Sequence, residues 1–310
     1  MTILLMGPTG AGKSAAAIAL AERIGAEIVS VDSALVYRGL DIGAAKPDRA
    51  IRERIPHHLI DILDPAATYS AGQFLRDAGQ AIDEIRGRGH MPLLVGGTML
   101  YFHALLHGLA ELPEADPELR RELDERVAQG GIADLHAELA RVDPEAAARI
   151  HPNDPQRIQR ALEVFYLTGS PITRLQADRR GALLTDGALK IVMCPARRAD
   201  LHQRIERRFH AMMKAGFLDE VRALRARGDL TATTPSMRAV GYRQLWAHLD
   251  GAYGLDEGVR RGIVATRRLA KRQLTWLRTV PAAHWIASAD NRALDQTAEL
   301  IGAVADARGS

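Results

Sequence analysis

The sequence predicts an α/β fold in which a P-loop NTPase-like parallel sheet core carries an all-helical insertion domain. Three observations predict it. Residues 7–14 match the pattern Gly-x-x-x-x-Gly-Lys-Ser/Thr, and an apolar strand precedes this loop while a helical pattern follows it. Strand and helix patterns then alternate, which is typical of parallel sheets with right-handed crossovers. Residues 113–181 show helical periodicity, capping signals and no convincing strand.

The strands and helices follow from the apolar pattern. Strands are predicted at 2–6, 27–31, 92–95 and 190–193, with helices at 13–24 and 70–88. Ligands of such sheets bind at the carboxyl ends of the strands. Because the glycine loop, Asp32 and Thr98 each follow a strand, we expect one cleft to collect them.

The domain boundaries follow from the change of pattern. Residues 1–112 and 182–310 form the predicted core with C-terminal helices, and 113–181 form the insertion. Within the insertion, Asn153-Asp154-Pro155 is a helix cap followed by proline in the first turn, with the helix running through Leu167. Residues 199–227 are predicted as one helix with an apolar stripe of Leu201, Ile205, Phe209, Met212 and Val221.

Composition limits the class of protein. The chain has 310 residues, of which 47% are hydrophobic, and its 41 basic residues nearly balance its 38 acidic ones. That balance is too even to prove a polyanionic partner. One cysteine excludes an internal disulfide and any multi-cysteine zinc site. The apolar run at 1–6 is too short to span a bilayer, so we expect a soluble, cytoplasmic protein that does not bind membranes. The sequence leaves the oligomeric state open, and a monomer is the default expectation.

The glycine loop is the strongest chemical signal. Gly10 and Gly12 allow the backbone to approach a phosphate, and the following helix adds its dipole. Lys13 is expected to reach the terminal phosphates and Ser14 to hold Mg²⁺. Such loops usually bind ATP or GTP, yet their chemistry recognises only a diphosphate and its metal. The predicted binding residues are Gly7, Pro8, Thr9, Gly10, Ala11, Gly12, Lys13 and Ser14.

Two strand ends allow several interpretations. Asp32 is compatible with a magnesium ligand, a general base, or a cap of the following turn. Gly96-Gly97-Thr98 carries no carboxylate, so it either supplies one hydroxyl to a site or only makes a tight turn.

Basic residues on two helices also have two interpretations. Arg204 and Arg208 share a helix face with the acid Glu206 between them, so they either form surface ion pairs or clamp a phosphate. Residues 258–278 contain seven basic residues and no acidic one, which suggests contact with a phosphate backbone, although a solvated face is equally compatible. The eleven histidines show no metal-ligand spacing.

The combination of segments is more specific than any single motif. Seven segments, in order along the chain, resemble those of the bacterial tRNA dimethylallyltransferases: GPTGAGKS, VDSALVYRGLDIGAAKP, LLVGGTMLYFHALLHGL, RIHPNDPQRIQRALEVF, LHQRIERRF, RAVGYRQLW and TRRLAKRQLTWLR. The resemblance covers about residues 3–279. Departures are mild: Ser14 replaces a frequent threonine, and Ala44-Ala45 stands where Gly-Thr-Ala is common. The zinc finger of eukaryotic relatives is excluded by the single cysteine.

The resemblance implies transfer of a dimethylallyl group from dimethylallyl diphosphate to the exocyclic amine of the adenosine 3′ of the anticodon, position 37. Lys13, Arg208 and Mg²⁺ on Ser14 would neutralise the diphosphate leaving group. Asp32 would take the proton of the amine, with Thr98 beside it, and the base would be flipped into a channel.

The resemblance also implies the surfaces that contact the tRNA anticodon stem-loop. The insertion would grip the stem-loop, with Arg120 as a further contact. The matching positions are Asp32, Ser33, Ala34, Leu35, Thr98, Gln156, Arg157, Ile158, Gln159, Arg160, Arg238, Ala239, Val240, Gly241, Tyr242 and Arg243.

Two other functions share some of these features. A small-molecule kinase would use the same loop on ATP and Asp32 on a substrate hydroxyl. An RNA-binding NTPase switch would need a γ-phosphate sensor and a second acid, and neither is clear in the sequence.

Overall fold

A six-stranded parallel sheet is the centre of the first of two units into which the chain divides. The computed structural model describes residues 1–184, 187–288 and 292–309. The first unit comprises Met1–His103 and Leu184–Ser310, and the second comprises Ala104–Leu183. The sequence placed these boundaries at 112/113 and 181/182.

The secondary structure follows the chain in this order. The strands are β1 (Thr2–Met6), β2 (Ala26–Val31), β3 (His57–His58), β4 (Met91–Gly96), β5 (Leu109–Ala110), β6 (Arg179–Arg180), β7 (Ala188–Cys194) and β8 (His284–Ala287). The helices are α1 (Lys13–Ile24), α2 (Arg49–Arg54), α3 (Ala71–Gly87), α4 (Met99–His107), α5 (Pro117–Gly130), α6 (Ile132–Val142), α7 (Pro144–Arg149), α8 (Pro155–Thr168), α9 (Ile172–Ala177), α10 (Arg198–Lys214), α11 (Phe217–Ala226), α12 (Tyr242–Leu249), α13 (Leu255–Leu277) and α14 (Ala293–Gly309). A 3₁₀ helix spans Pro235–Arg238.

The sheet has the order β3-β2-β4-β1-β7-β8, and all neighbouring strands are parallel. Every residue of β1 and β2 is buried, which explains why these strands are mostly apolar, with Glu27 and Ser30 as buried polar exceptions in β2. Ile3 and Leu5 of β1 belong to a core that α1 and α14 complete. The carboxyl ends of β1, β2 and β4 therefore lie side by side, which positions the site.

The four predicted strands and the predicted helix at 13–24 are confirmed, and the helix at 70–88 is α3. A reciprocal capping box of Ser70 and Gln73 begins α3. The sequence missed the four short strands β3, β5, β6 and β8, because two to four residues are too few to show a strand pattern. The prediction of a single helix at 199–227 is wrong, because the structure has two helices there, α10 and α11. Gly216, between them, adopts a left-handed φ of 98°, which interrupts the helix.

The second unit has its own core. Helices α5 to α9 surround a cluster that includes Leu123, Leu139 and Leu162. The predicted cap of α8 is present, since the Asp154 carboxylate accepts the Arg157 N–H. Besides its helices the unit contains the short antiparallel pair β5–β6.

Candidate active site

Residues 7–14 form a tight loop between β1 and α1. Gly10 and Gly12 have φ values of 81° and 92°, a conformation that favours glycine. A Cβ at Gly7 would lie 2.2 Å from the Met193 carbonyl oxygen, so this position is also restricted to glycine. The first amides of α1 emerge at the loop, which is the arrangement that binds anions at helix N-termini.

Two cations converge on this loop. The Lys13 ammonium donates to the Pro8 carbonyl at 2.8 Å, and the Arg208 guanidinium donates to the Thr9 hydroxyl at 2.5 Å. Burial, reinforced by the charge of Arg208, lowers the pKa of Lys13 from 10.5 to about 8. Burial also lowers the pKa of Arg208, with the charge of Asp32 opposing it. Among the described residues neither cation forms an ion pair, so the pair favours binding of a polyanion.

Arg204, one turn before Arg208, also faces the loop. Its guanidinium donates to the Ala11 carbonyl at 3.4 Å and to the Ser288 hydroxyl at 3.2 Å. The acid between them, Glu206, instead pairs with Arg267 at 2.6 Å. Of the two interpretations, the structure favours the clamp over the surface ion pair.

Asp32, at the end of β2, combines a structural contact with a free oxygen. One carboxylate oxygen accepts the amides of Ala34 at 2.8 Å and Leu35 at 3.4 Å, so the cap is present. The other oxygen has no hydrogen bond among the described residues. The carboxylate also lies close enough to Lys13 and Arg208 to influence the pKa of each. The cap and a role as base are therefore compatible, because they use different oxygens.

Thr98 joins the ends of β2 and β4. Its backbone amide donates to the Val31 carbonyl at 3.2 Å, and its hydroxyl accepts the Ser33 amide at 3.1 Å. Thr98 thus lies beside Asp32, as the sequence predicted, and makes the tight turn as well.

The basic helix is only partly free. It is α13, and it begins at Leu255, so its first turn contains acids that the window 258–278 omitted. Glu257 pairs with Arg260 and Arg261 at 2.6 Å each, and Arg267 pairs with Glu206. Four exposed cations of the predicted window have no ion pair among the described residues: Arg268, Lys271, Arg272 and, just after the helix, Arg278.

Residues 238–243 present two arginines. Arg238 and Arg243 are exposed and lack ion pairs within the described part of the chain, while Ala239 and Val240 are half-buried. Gly241 is buried, and the fully buried Tyr242 donates its hydroxyl to Glu220 at 2.6 Å. The Tyr242 side chain is therefore a core residue and is not available to contact RNA.

The predicted contacts in the second unit are similarly divided. Gln156 and Arg157 are exposed, whereas Ile158 is fully buried in the core. Gln159 donates to Asp124 at 2.7 Å. Arg160 and Arg120 both pair with the buried carboxylate of Glu163, at 2.5 and 2.8 Å, and Arg120 keeps half of its side chain exposed.

The sequence missed two residues that organise the site and its neighbouring loop. Gln273 contacts the glycine loop. The only feature of the sequence that could have indicated this role is a polar residue between Ala270 and Leu277 on the buried face of α13. Glu220 accepts three consecutive amides, those of Asp41, Ile42 and Gly43.

Metal ligands are sparse. Within residues 1–184, 187–288 and 292–309 no group of three or more His, Cys, Asp or Glu residues is placed to hold a metal ion. Ser14 is exposed, and its hydroxyl has no hydrogen-bond partner in the described part. Of the histidines, His58 and His90 contact Glu27 at 2.7 Å each, near the amino end of β2 and away from the glycine loop.

None of the helices in the described part combines the length and apolar character needed to cross a bilayer.

This fold and this site are those of the P-loop-like class of α/β proteins. Residues 35–280 match the family model described as IPP transferase, and residues 1–55 match the model described as isopentenyl transferase. The chain belongs to the IPP transferase family.

Named relatives and solved structures agree with the family models. A tRNA dimethylallyltransferase of Methylococcus capsulatus is 56% identical over 97% of this chain and 96% of its own length. One of Halorhodospira halophila is 58% identical over 89% of both chains. The crystal structure of a tRNA isopentenylpyrophosphate transferase from Bacillus halodurans superposes with a TM-score of 0.73 at 36% identity, covering 99% of this chain and 97% of that one. A eukaryotic dimethylallyltransferase acting on tRNA gives a TM-score of 0.72 at 28% identity, covering 89% of this chain and 69% of that one.

Proposed function

We propose that this protein transfers the dimethylallyl group of dimethylallyl diphosphate to N6 of adenosine 37, just 3′ of the anticodon of tRNA, and releases diphosphate. One observation carries the proposal: Lys13 and Arg208 converge on the glycine loop, and a free carboxylate oxygen of Asp32 lies within electrostatic range of both. The family and the names of its relatives support the same reaction.

The glycine loop and its cations hold the leaving group. As the bond between the allylic carbon and oxygen breaks, the bonding electrons leave with the diphosphate, and negative charge grows on its oxygens. Lys13 and Arg208, already placed and only partly hydrated, stabilise that charge without reorganising. Arg204 adds a third positive charge at the same loop.

Mg²⁺ fits this site as a companion of the diphosphate. Mg²⁺ commonly binds through substrate phosphates, water and one or two protein oxygens, and Ser14 supplies such an oxygen at the start of α1. When bound, the ion would offset the charge of the diphosphate.

Asp32 receives the proton. The exocyclic amine of adenine is a weak nucleophile, so its placement against the allylic carbon matters most. As the new carbon–nitrogen bond forms, the amine loses a proton to the free oxygen of Asp32. The capping contacts to Ala34 and Leu35 hold the carboxylate in one orientation for this transfer.

The exposed cations of the first unit support recognition of the tRNA backbone. Arg238 and Arg243, together with Arg268, Lys271 and Arg272, offer positive charge that no ion pair of the described residues neutralises. In the second unit Gln156 and Arg157 are the predicted contacts that remain exposed.

We place the reaction in the cytoplasm, with its tRNA substrate. Apart from the neighbouring Tyr166 and Leu167 of α8, the exposed large apolar side chains of the described residues lie on different helices, strands and loops, which supports a monomer.

The test incubates the protein with radiolabelled dimethylallyl diphosphate, Mg²⁺ and tRNA. The expected result is label on N6 of adenosine 37 and release of diphosphate. A matched tRNA with guanosine at position 37 should remain unlabelled. If ATP is consumed while tRNA stays unlabelled, the alternative of a small-molecule kinase replaces this proposal.

A further inference from the structure

A buried glutamine of α13 connects the glycine loop to the end of β4. The Gln273 side-chain oxygen accepts the Thr9 amide at 2.8 Å, and its side-chain nitrogen donates to the Gly97 carbonyl at 2.6 Å. Gln273 is 6% exposed. Both ends of one amide are thus used, and both contacts lie inside the first unit.

The chemistry of the two contacts determines which way the amide points. Thr9 offers an N–H and requires an acceptor, whereas Gly97 offers a carbonyl and requires a donor. A neutral amide supplies both at any ordinary pH, whereas a carboxyl group of the same length does so only when it is protonated. A carboxylate would repel the Gly97 carbonyl, and an apolar side chain would leave two buried backbone groups unpaired.

The residue at 97 must be small for this contact to form. A Cβ at Gly97 would lie 2.6 Å from the Gln273 nitrogen. An alanine there would displace the amide, which is the end of a flexible side chain, and its Cβ would also press on the Gly7 carbonyl oxygen at 3.3 Å. This provides a second way to break the same contact, accompanied by a small adjustment at Gly7.

The two contacts join the halves of the proposed site. On one side Thr9 also receives the hydrogen bond of Arg208, so it belongs to the cradle for the leaving group. On the other side Gly97 precedes Thr98, whose hydroxyl accepts the Ser33 amide next to Asp32. Gln273 therefore connects the loop that contains Thr9 to the strand end that leads to Thr98 and Asp32.

We propose that Gln273 is a positioning residue for prenyl transfer, which aligns the diphosphate cradle with Asp32 and Thr98. This role rests on the proposed function. In it, Gln273 supports the transfer step without contacting either substrate. Displacing the two halves by a fraction of an ångström should slow the transfer between bound substrates. It should leave the affinity for diphosphate nearly unchanged, because Lys13 and Arg208 remain in place.

The experiment compares Gln273→Met and Gly97→Ala with the parent protein in single-turnover transfer at saturating donor and tRNA. We expect each variant to lower the rate about 10- to 100-fold, because misplacement by about 1 Å costs up to that much. The dissociation constant for inorganic pyrophosphate should change by less than about threefold, because the contacts that bind the diphosphate before the reaction are retained. The double variant should be no slower than the slower single variant, because both changes remove one interaction.

Thr266→Val is the matched control. Thr266 is a buried polar residue of the same helix, and within the described residues its hydroxyl bonds only to the Gly262 carbonyl one turn away. This variant should lose some thermal stability and keep the parent rate.

Gln273→Glu separates alignment from general destabilisation. Its carboxyl group should be ionised near neutral pH and should lose the contact to Gly97, whereas the protonated form can make both contacts. Burial raises the pKa of such a carboxyl group. The rate of this variant relative to the parent should therefore rise as the pH falls from about 8 to about 6.

The outcomes are distinguishable. A parent-like rate in folded Gln273→Met, with an active parent, would overturn the positioning role. An equal loss of rate in Thr266→Val, or a relative rate of Gln273→Glu that does not depend on pH, would do the same. Absence of transfer by the parent itself would overturn the proposed function instead. Hydrogen exchange would then still report the tether, because the Thr9 amide should exchange faster in Gln273→Met if the tether exists.

Discussion

Arg208 donates a hydrogen bond to the hydroxyl of Thr9 although a carboxylate, Glu206, lies two residues away on the same helix. Glu206 instead pairs with Arg267 of α13. Helix α10 thus directs Arg208, which has no ion pair among the described residues, toward the glycine loop. The acid of the same helix, Glu206, pairs with α13 instead. That separation is what makes Arg208 available to a diphosphate.

Arg208→Met should impair both donor binding and transfer. One guanidinium aimed at a developing oxyanion commonly contributes about 10²–10³ in kcat. The measurement is single-turnover transfer together with pyrophosphate titration. Arg207→Met is the control, because Arg207 is exposed and adjacent on the same helix. Equal behaviour of the two variants would contradict a role for Arg208 at the leaving group.

Asp32→Asn should retain donor and tRNA binding and lose most of the transfer rate. The asparagine oxygen can still cap the Ala34 amide, so the turn should survive while the base is removed. Loss of a general base typically costs about 10²–10⁴ in rate. Asp48→Asn is the control, since Asp48 caps α2 in the same way through the Ile51 amide. Turnover at the parent rate would show that Asp32 is not the base.

Donor affinity should fall as the pH rises through about 8. The free protein holds the pKa of Lys13 at about 8, below its usual 10.5, because burial disfavours the ammonium. The diphosphate binds the ammonium form, so alkaline pH removes the cation before binding. The dissociation constant for pyrophosphate, at constant Mg²⁺, should rise about tenfold from pH 7 to pH 9. Lys13→Met should bind more weakly and without this dependence, and a flat parent profile would refute the assignment.

Neutralising Lys271 should change the salt dependence of tRNA binding more than neutralising Arg267. Lys271 is exposed and has no ion pair among the described residues, whereas Arg267 is engaged by Glu206. For Lys271→Gln the slope of log K against log salt should decrease in magnitude by about 0.7–0.9, the value for one phosphate contact. Arg267→Gln should change the slope less. The prediction fails if both variants keep the slope of the parent.

Glu220→Leu should destabilise the fold. Glu220 accepts the Asp41, Ile42 and Gly43 amides and the buried Tyr242 hydroxyl, and all four would lose their acceptor. The Asp41 amide is exposed and can bond to water, but the Ile42 and Gly43 amides and the Tyr242 hydroxyl are at least partly buried. At about 1–3 kcal/mol for each buried group left unsatisfied, these three predict a loss of about 3 kcal/mol. Urea unfolding measures it. Glu257→Gln removes only exposed ion pairs and should cost less than about 1 kcal/mol.

The sequence predicted most of the central sheet because its strands are buried on both faces. Strand β1 is apolar at nearly every position, and the glycine loop follows it directly. The edge strands β3 and β8 escaped prediction, because two to four partly exposed residues carry no periodicity. The break between α10 and α11 depends on one glycine at 216, whose left-handed φ a helical pattern does not reveal.

The candidate site was predictable to a smaller extent. The positions of Asp32 and Thr98 followed from the rule that parallel strands end at one edge. The sequence did not show which basic residues lack an ion pair, because ion pairs join residues that are distant in sequence, as Glu206 and Arg267 are. The side chains of Ile158 and Tyr242 are buried in the core, which a motif does not reveal because it does not distinguish core positions from exposed ones.

By itself, the sequence determined the glycine loop, the order of the central strands and helices, and the chemical groups at the strand ends. These are local properties, set by glycine geometry, apolar runs and capping residues within a few positions of one another. Tertiary structure alone decided that Arg208 reaches Thr9, that one oxygen of Asp32 stays free, and that Gln273 contacts a loop 264 residues earlier in the chain. Such contacts arise from how α10 and α13 pack on the sheet, and packing depends on side chains that are brought together only when the whole unit folds.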